Sequence, residues 1–222
     1  MEKEKYSMID LHTHSIFSDG ELLPSELVRR AEVIGYQAVA ITDHADTSNL
    51  DWIIPRLIQV CRDLNSHWRV RAIPGIELTH LPPAMIGSLT SRARALGAQV
   101  VLVHGETIVE PVLPGTNHQA IEAGVDILAH PGLISEEDVI FAREKGVFLE
   151  ITSRQGHSLS NGHVARLAQK AGAQLVLNTD THLLENLISQ EKALKVARGA
   201  GLKPEDFDQM LENSRKILSR LG

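Results

Sequence analysis

The sequence predicts an α/β protein built on a mostly parallel sheet, and three observations carry that reading. Short runs rich in β-branched and apolar residues recur along the chain, helical patterns fill the intervals, and a glycine stands just before four of the runs, where a helix must stop. The 222 residues suffice for one large core, and no low-complexity run or linker interrupts them, so residues 1–222 read as a single domain.

The candidate strands are 8–11, 37–42, 70–76, 99–103, 126–129, 147–151 and 174–177. Each is brief and nearly continuous in apolar residues, as strands buried on both faces must be. After the first, Pro24 suits the first turn of a helix, Leu27, Val28, Ala31 and Ile34 share one face, and Gly35 ends it. Gly97, Gly124, Gly146 and Gly172 terminate later helices, and Pro204 opens a last one with an apolar stripe of Phe207, Met210, Leu211, Leu218 and Leu221. Seven strands alternating with helices fit an open, doubly wound sheet or a closed barrel.

Composition narrows the class further. The 43% hydrophobic content is that of an ordinary globular protein, and no stretch approaches the roughly 20 apolar residues that span a bilayer. The opening MEKEKYS is charged and leads into no signal-like apolar segment, so the expectation is a soluble, cytoplasmic protein without a membrane partner. A formal net charge of −6 counts against a protein that wraps nucleic acid. Cys61 is the single cysteine, which removes intrachain disulfides and thiolate metal sites.

Histidine placement carries the chemistry. His12 and His14 follow the first strand, His44 the second, Glu77 the third, His104 the fourth, His130 the fifth, and Asp180 and His182 the seventh. Ligands of parallel α/β folds bind at the carboxyl ends of the strands, so six of the eleven histidines fall on the functional rim. A lone strand-end histidine is more often a hydrogen-bonded structural group; this many on one rim points to a metal centre. Alternate side chains of an extended segment share a face, which pairs His12 with His14 and Asp180 with His182. Those pairs meet only if the first and last strands come together, which favours closure.

DLHTHSIFSDG at 10–20, ITDH at 41–44, GIE at 75–77, VHGE at 103–106, AHPG at 129–132 and NTDTH at 178–182 resemble, in order, the motifs of the PHP (polymerase and histidinol phosphatase) superfamily. The resemblance spans about four fifths of the chain. It implies a distorted (β/α)7 barrel with the metal site at the C-terminal rim, and two to three divalent ions of zinc, manganese or iron. It implies a first ion on His12, His14, Glu77 and Asp180, a second sharing Glu77 with His104 and His130, and a third on Asp19, His44 and His182.

These assignments suit the side chains. Glu77 has two oxygens with which to bridge cations, and imidazoles and carboxylates suit those metals. Asp19 also lies in a turn sequence, Ser18-Asp19-Gly20, where it could serve the backbone instead. Asp10 and Asp43, near ligand histidines, are candidates either to orient imidazoles or to cap strand ends. Arg154, whose planar fork matches phosphate, is the candidate substrate clamp. Asp180 and His157 are the candidates for a direct catalytic role. His80 and His118 lie near rim loops with no assigned partner, and His67 and His163 fall at helix ends or strand starts.

The activity expected is hydrolysis of a phosphomonoester, then of a diester, by a metal-activated hydroxide. The partner is a small phosphorylated molecule, with nucleic acid entering only as a short substrate. Two alternatives stand beside it. An amidohydrolase would share the first-strand HxH, but no lysine occurs between Lys5 and Lys145 to be carboxylated as a bridge. A PHP-like subunit of a ribonucleoprotein would need no ligands, whereas here the set is whole. Only 26 residues separate Glu77 from His104, too few for a substrate-capping domain.

Overall fold

The structure, a computed structural model, describes residues 8–221; the charged opening segment and its Lys5 lie outside the described residues. Eight parallel strands are formed: β1 (Ile9–Asp10), β2 (Ala38–Ile41), β3 (His44–Ala45), β4 (Arg71–Leu78), β5 (Val100–His104), β6 (Ile127–Ala129), β7 (Phe148–Thr152) and β8 (Leu175–Asn178). Seven follow one another in the order β1-β2-β4-β5-β6-β7-β8, matching the seven apolar runs. β3 was not anticipated. It is the two-residue continuation of the chain beyond β2 and pairs with the upper end of β4, His44 opposite Glu77.

The helices α1 (Pro24–Val33), α2 (Leu50–Asn65), α3 (Pro83–Ala95), α4 (Thr116–Glu122), α5 (Glu136–Lys145), α6 (Asn161–Ala171), α7 (Gln190–Gly199) and α8 (Pro204–Arg220) lie between and after the strands. In α1, Pro24 begins the helix and Leu27, Val28 and Ala31 are buried as expected. Ile34 is not: it is the C-cap residue, past the last helical turn, and stays exposed. Gly97, Gly124, Gly146 and Gly172 all adopt positive φ at helix ends.

Two apolar layers result from period-2 alternation. Val39 and Ile41, Val101 and Val103, Leu149 and Ile151 face outward under the helices. Ile9, Leu11, Ala38, Ala40, Ile73, Val100, Leu102, Ile127, Phe148 and Val176 face inward and fill the barrel. The small alanines of β2 leave room opposite the fully buried Phe148. At the rim the same inward register delivers Glu77 above Ile73, His104 above Leu102, and Glu150 above Phe148. The apolar plug is therefore the floor of the polar bowl.

The sheet is nearly closed into a barrel, and the seam between β1 and β8 is unusual. Only one backbone bridge joins them, Thr13 to Thr181, with His14 N donating to Thr181 O at 2.8 Å. Below it side chains replace the ladder: Asn178 Oδ1 accepts from Leu11 N at 2.9 Å, and Asp10 Oδ1 accepts from Thr179 N at 3.2 Å. Helix α8 covers this seam, and Ile217 on it reaches the inner layer while Leu218 and Leu221 pack partly buried against that layer. No helix among the described residues is long and apolar enough to cross a membrane.

Truncating Phe148 to alanine should cost about 3–5 kcal/mol, since it leaves a cavity that the surrounding strands cannot close. Replacing Ile140, on the outer face of α5, should cost no more than about 0.5 kcal/mol. Urea denaturation of both variants checks this; equal midpoints would show that the barrel interior is not the main core.

Candidate metal centre

The rim collects its polar groups from every strand end. His12 and His14 lie just beyond β1, Asp19 in the next turn, His44 in β3, Glu77 in β4, His104 at the end of β5 and His130 after β6. Arg154 and His157 follow β7, and Asp180 and His182 follow β8. All nine proposed ligands are brought together. His12, His14, Glu77, His104, His130, Asp180 and His182 are buried, His44 is partly buried, and the Asp19 side chain is 56% exposed.

Their distances define overlapping groups. His12 Nε2 lies 3.3 Å from Glu77 Oε1 and 3.7 Å from Asp180 Oδ1, and His14 Nε2 lies 3.3 Å from Asp180 Oδ1. His130 Nε2 stands 3.6 Å from Glu77 Oε1. His182 Nε2 and His44 Nε2 stand 3.1 and 3.6 Å from Asp19 Oδ1. Ligand atoms close enough to share one ion occur in His12/His14/Asp180, in His12/Glu77/His130, in His14/Asp19/His44/His182 and in His104/His130/His157.

The grouping matches the implied sets in part. Asp19, His44 and His182 fall together, joined by His14. Glu77 groups with His12 and His130, whereas His104 groups with His130 and His157. The cause is geometric: the imidazole of His104 is turned outward, its Nε2 3.0 Å from Glu110 Oε2.

Donor chemistry fits a cation cluster. His12 Nε2, both ring nitrogens of His14, both oxygens of Glu77, His104 Nδ1, His130 Nδ1 and Asp180 Oδ1 are buried and make no hydrogen bond. Leaving so many polar atoms unsatisfied in one place is expensive unless something else satisfies them. Two residues also hold unusual backbone: His130 and Asp180 have φ of 25° and 51°. Non-glycine residues rarely adopt positive φ, and such strain gathers at functional sites.

Electrostatics point the same way. Burial favours the neutral forms of Glu77 and Asp180, yet the imidazoles around them, His12 foremost, hold both carboxyls well below the usual range. Burial likewise opposes charge on His12, but Glu150, Glu77 and Asp180 keep it protonated well above its ordinary pKa. His14, buried beside His44, is pushed down to about 3. The bowl thus holds ionised carboxylates neutralised by imidazolium protons, and metal binding would release those protons.

Three further carboxylates support the bowl. Asp10 does not orient an imidazole: it accepts from Thr179 N, Thr179 Oγ1 and His12 N, fixing the seam. Asp43 accepts from the amides and hydroxyls of Ser15 and Ser18, shaping the turn that presents Asp19. The carboxylate that orients the His12 imidazole is Glu150, overlooked in the sequence: Oε1 meets His12 Nδ1 at 2.8 Å, and Oε2 accepts from the His130 backbone N at 3.0 Å. A glutamate inside the apolar run of β7 was the available signal.

The bowl opens into a 260 Å³ cavity lined by Asp19, His44, Thr79, His80, His104, Glu110, Arg154, His157, Asp180 and His182. Arg154 therefore reaches the cavity, and its Nη1 donates to Asn186 Oδ1 at 3.2 Å. His157 stacks on His130 with ring centroids 4.2 Å apart, and its Nδ1 lies 2.6 Å from Thr107 Oγ1. Burial and the nearby His130 push its pKa down to about 4. His118, His67 and His163 sit outside, paired with Asp138, Asp63 O and Ile134 O respectively.

The PHP domain matches residues 10–188. An uncharacterized protein of Methanocaldococcus jannaschii is 47% identical over 96% of this chain and 99% of its own. A protein of Thermoanaerobacter sp. bearing the name "probable phosphatase" is 25% identical, over 88% of this chain and 87% of its own. Two solved structures share the fold. A chain of archaeal ribonuclease P, determined with mature tRNA, aligns with a TM-score of 0.71 at 15% identity, covering 95% of this chain and 90% of that one. The histidinol phosphate phosphatase of Lactococcus lactis, complexed with zinc, L-histidinol and phosphate, aligns at 0.61 and 16%, covering 96% and 93%.

Glu150 provides the sharpest test of how the centre is held. Glu150→Gln keeps the size but loses the charge that fixes His12, so affinity for Mn²⁺ should fall about 10–100-fold. Calorimetric titration of chelator-treated protein measures it; unchanged affinity would reduce Glu150 to a packing role.

Proposed function

The chain belongs to the PHP domain family, and on that footing we propose that it is a metal-dependent phosphoesterase hydrolysing a small phosphomonoester, with diesters next. The observation that carries this is the convergence of buried imidazole and carboxylate atoms without hydrogen bonds at one open rim. Two to three ions of zinc, manganese or iron would rest on His12, His14, Glu77 and Asp180, on His104 and His130 with His157, and on Asp19, His44 and His182. Bound there, divalent ions would make hydroxide available at neutral pH and neutralise phosphate oxygens.

The residues of the chain do the rest. Arg154 presents a planar donor fork toward the cavity, and Asn186 holds it while also accepting from His182 N and Leu183 N. His157 serves as a nitrogen donor beside His130, not as the proton donor, because it is neutral near pH 7. A cavity of 260 Å³ is smaller than the about 300–1,000 Å³ of ordinary small-molecule pockets, which suits a phosphorylated metabolite or the end of a short oligonucleotide. No lysine lines it, which argues against a carboxylated-lysine amidohydrolase.

The likeness to a ribonuclease P chain raises a non-catalytic role in an RNA–protein assembly. Retention of a buried donor set of this size argues for catalysis, since a scaffold gains nothing from unsatisfied polar atoms. Metal-independent, salt-sensitive RNA binding would reverse the ranking.

Mn²⁺-loaded protein should hydrolyse members of a panel of phosphomonoesters, and Glu77→Gln should lose both metal and turnover. Arg154→Ala should lower kcat/KM by about 10–100-fold with metal content unchanged, the loss of a charge-assisted contact to substrate. Full metal loading with no turnover of any phosphoester would sink the reading.

A further inference from the structure

The loop of residues 105–115, between β5 and α4, is pinned at its base. Glu106 Oε1 accepts from Gly115 N and Asn117 N, each at 2.9 Å. The Glu106 carbonyl also presses on Gly132, where any Cβ would collide with it. At the tip, Ile108, Val109 and Leu113 are exposed. A hydrogen bond from Val112 N to Glu110 O, 2.9 Å, shapes the turn there.

From this tip the side chain of Glu110 reaches back into the bowl. Its Oε2 lies 3.0 Å from His104 Nε2 and 3.2 Å from His80 Nε2, and its Oε1 lies 3.4 Å from His157 Nε2. Imidazoles that follow or end three different strands, β4, β5 and β7, thus converge on one carboxylate that is 38% exposed. One of them, His80, adopts φ of 51°. A glutamate that merely solvates a loop requires none of this.

Glu110, His80 and His104 have ligand atoms close enough to share an ion, and His104 also belongs to the group with His130 and His157. A neutral imidazole has a single lone pair to offer, so His104 cannot serve two ions at once. Glu110 meets two members of that second group, with Oε2 3.0 Å from His104 Nε2 and Oε1 3.4 Å from His157 Nε2, and it does so on the side open to the cavity. A carboxylate there has the charge sign and the oxygen donors of a phosphate.

Building on the phosphoesterase reading, we propose that Glu110 is a displaceable ligand: it completes the ion position served by His104, His130 and His157, and yields to the phosphate of the incoming ester. His80 is the holding group that returns it. The strap keeps the position closed to stray anions and opens at its tip without disturbing its pinned base.

The test uses the full chain, stripped with chelator and titrated first with Mn²⁺ alone, then with inorganic phosphate after Mn²⁺ saturation. In Glu110→Gln and Glu110→Ala, one equivalent of Mn²⁺ should bind about tenfold more weakly, as a ligand is lost. Phosphate should bind about tenfold more tightly, because the closed state no longer competes. His80→Ala should tighten phosphate binding in the same direction. Unchanged Mn²⁺ affinity in both Glu110 variants overturns ligation, even if phosphate binds better, since charge repulsion alone would do that. Unchanged or weaker phosphate binding overturns displacement. Wild-type protein that takes up Mn²⁺ but no phosphate counts against the phosphoesterase reading itself, and the Mn²⁺ titration still decides whether Glu110 is a ligand.

Discussion

Burying Glu77, Glu150 and Asp180 together is the constraint on which the rest of this molecule depends. Three carboxylates in a water-poor bowl repel one another and lose their hydration, and each needs compensating positive charge at close range. The protein supplies imidazoles instead of lysines or arginines. An imidazole can neutralise a carboxylate as a protonated ring, or surrender that proton and offer a lone pair to a cation. The same histidines can therefore carry charge beside the carboxylates or offer lone pairs to a cation.

Such a bowl demands a closed floor and a tight seam. Phe148 and the inward aliphatic residues keep water from entering beneath the carboxylates. At the seam, ordinary strand pairing between β1 and β8 would continue the ladder past the rim. Asp10 and Asn178 replace it with side-chain acceptors, which lets Asp180 depart into positive φ and turn inward. Asn178 Nδ2 donates to Glu150 Oε1 at 2.8 Å, so the residue that closes the barrel also fixes the carboxylate that orients His12. Closure and site geometry are one network.

Much of this was legible in the sequence because it obeys simple periods. Continuous apolar runs gave seven strands, positive-φ glycines marked helix ends, and the residues just past the end of an apolar run land at the rim. What the sequence concealed depends on side-chain direction. Glu150 is a strand residue whose inward orientation follows only once the register of β7 is known. Asp43 adjoins His44 yet turns to Ser15 and Ser18, since neighbours along an extended chain point to opposite faces, and Asp10, two residues before His12, is taken up by Thr179 across the seam. The outward turn of His104 and its meeting with Glu110 rest on an eleven-residue loop whose path no periodicity encodes.

The carboxylates of the site divide into two classes by what carries them. Glu77 and Glu150 are strand residues, and Asp180 follows a strand directly; all three are buried and immobilised by packing on several sides. Asp19 and Glu110 come from loops, with 56% and 38% of their side chains exposed, and each meets the cluster through imidazoles alone. Fixed ligands hold ions at set positions, whereas ligands on loops can exchange with solvent or substrate without deforming the barrel. Both loop carboxylates line the cavity by which a phosphate would arrive, together with Asp180, whereas the strand residues Glu77 and Glu150 do not. A rigid interior that retains ions and a pliant rim that trades anions can coexist in one barrel because strands supply the first and loops the second.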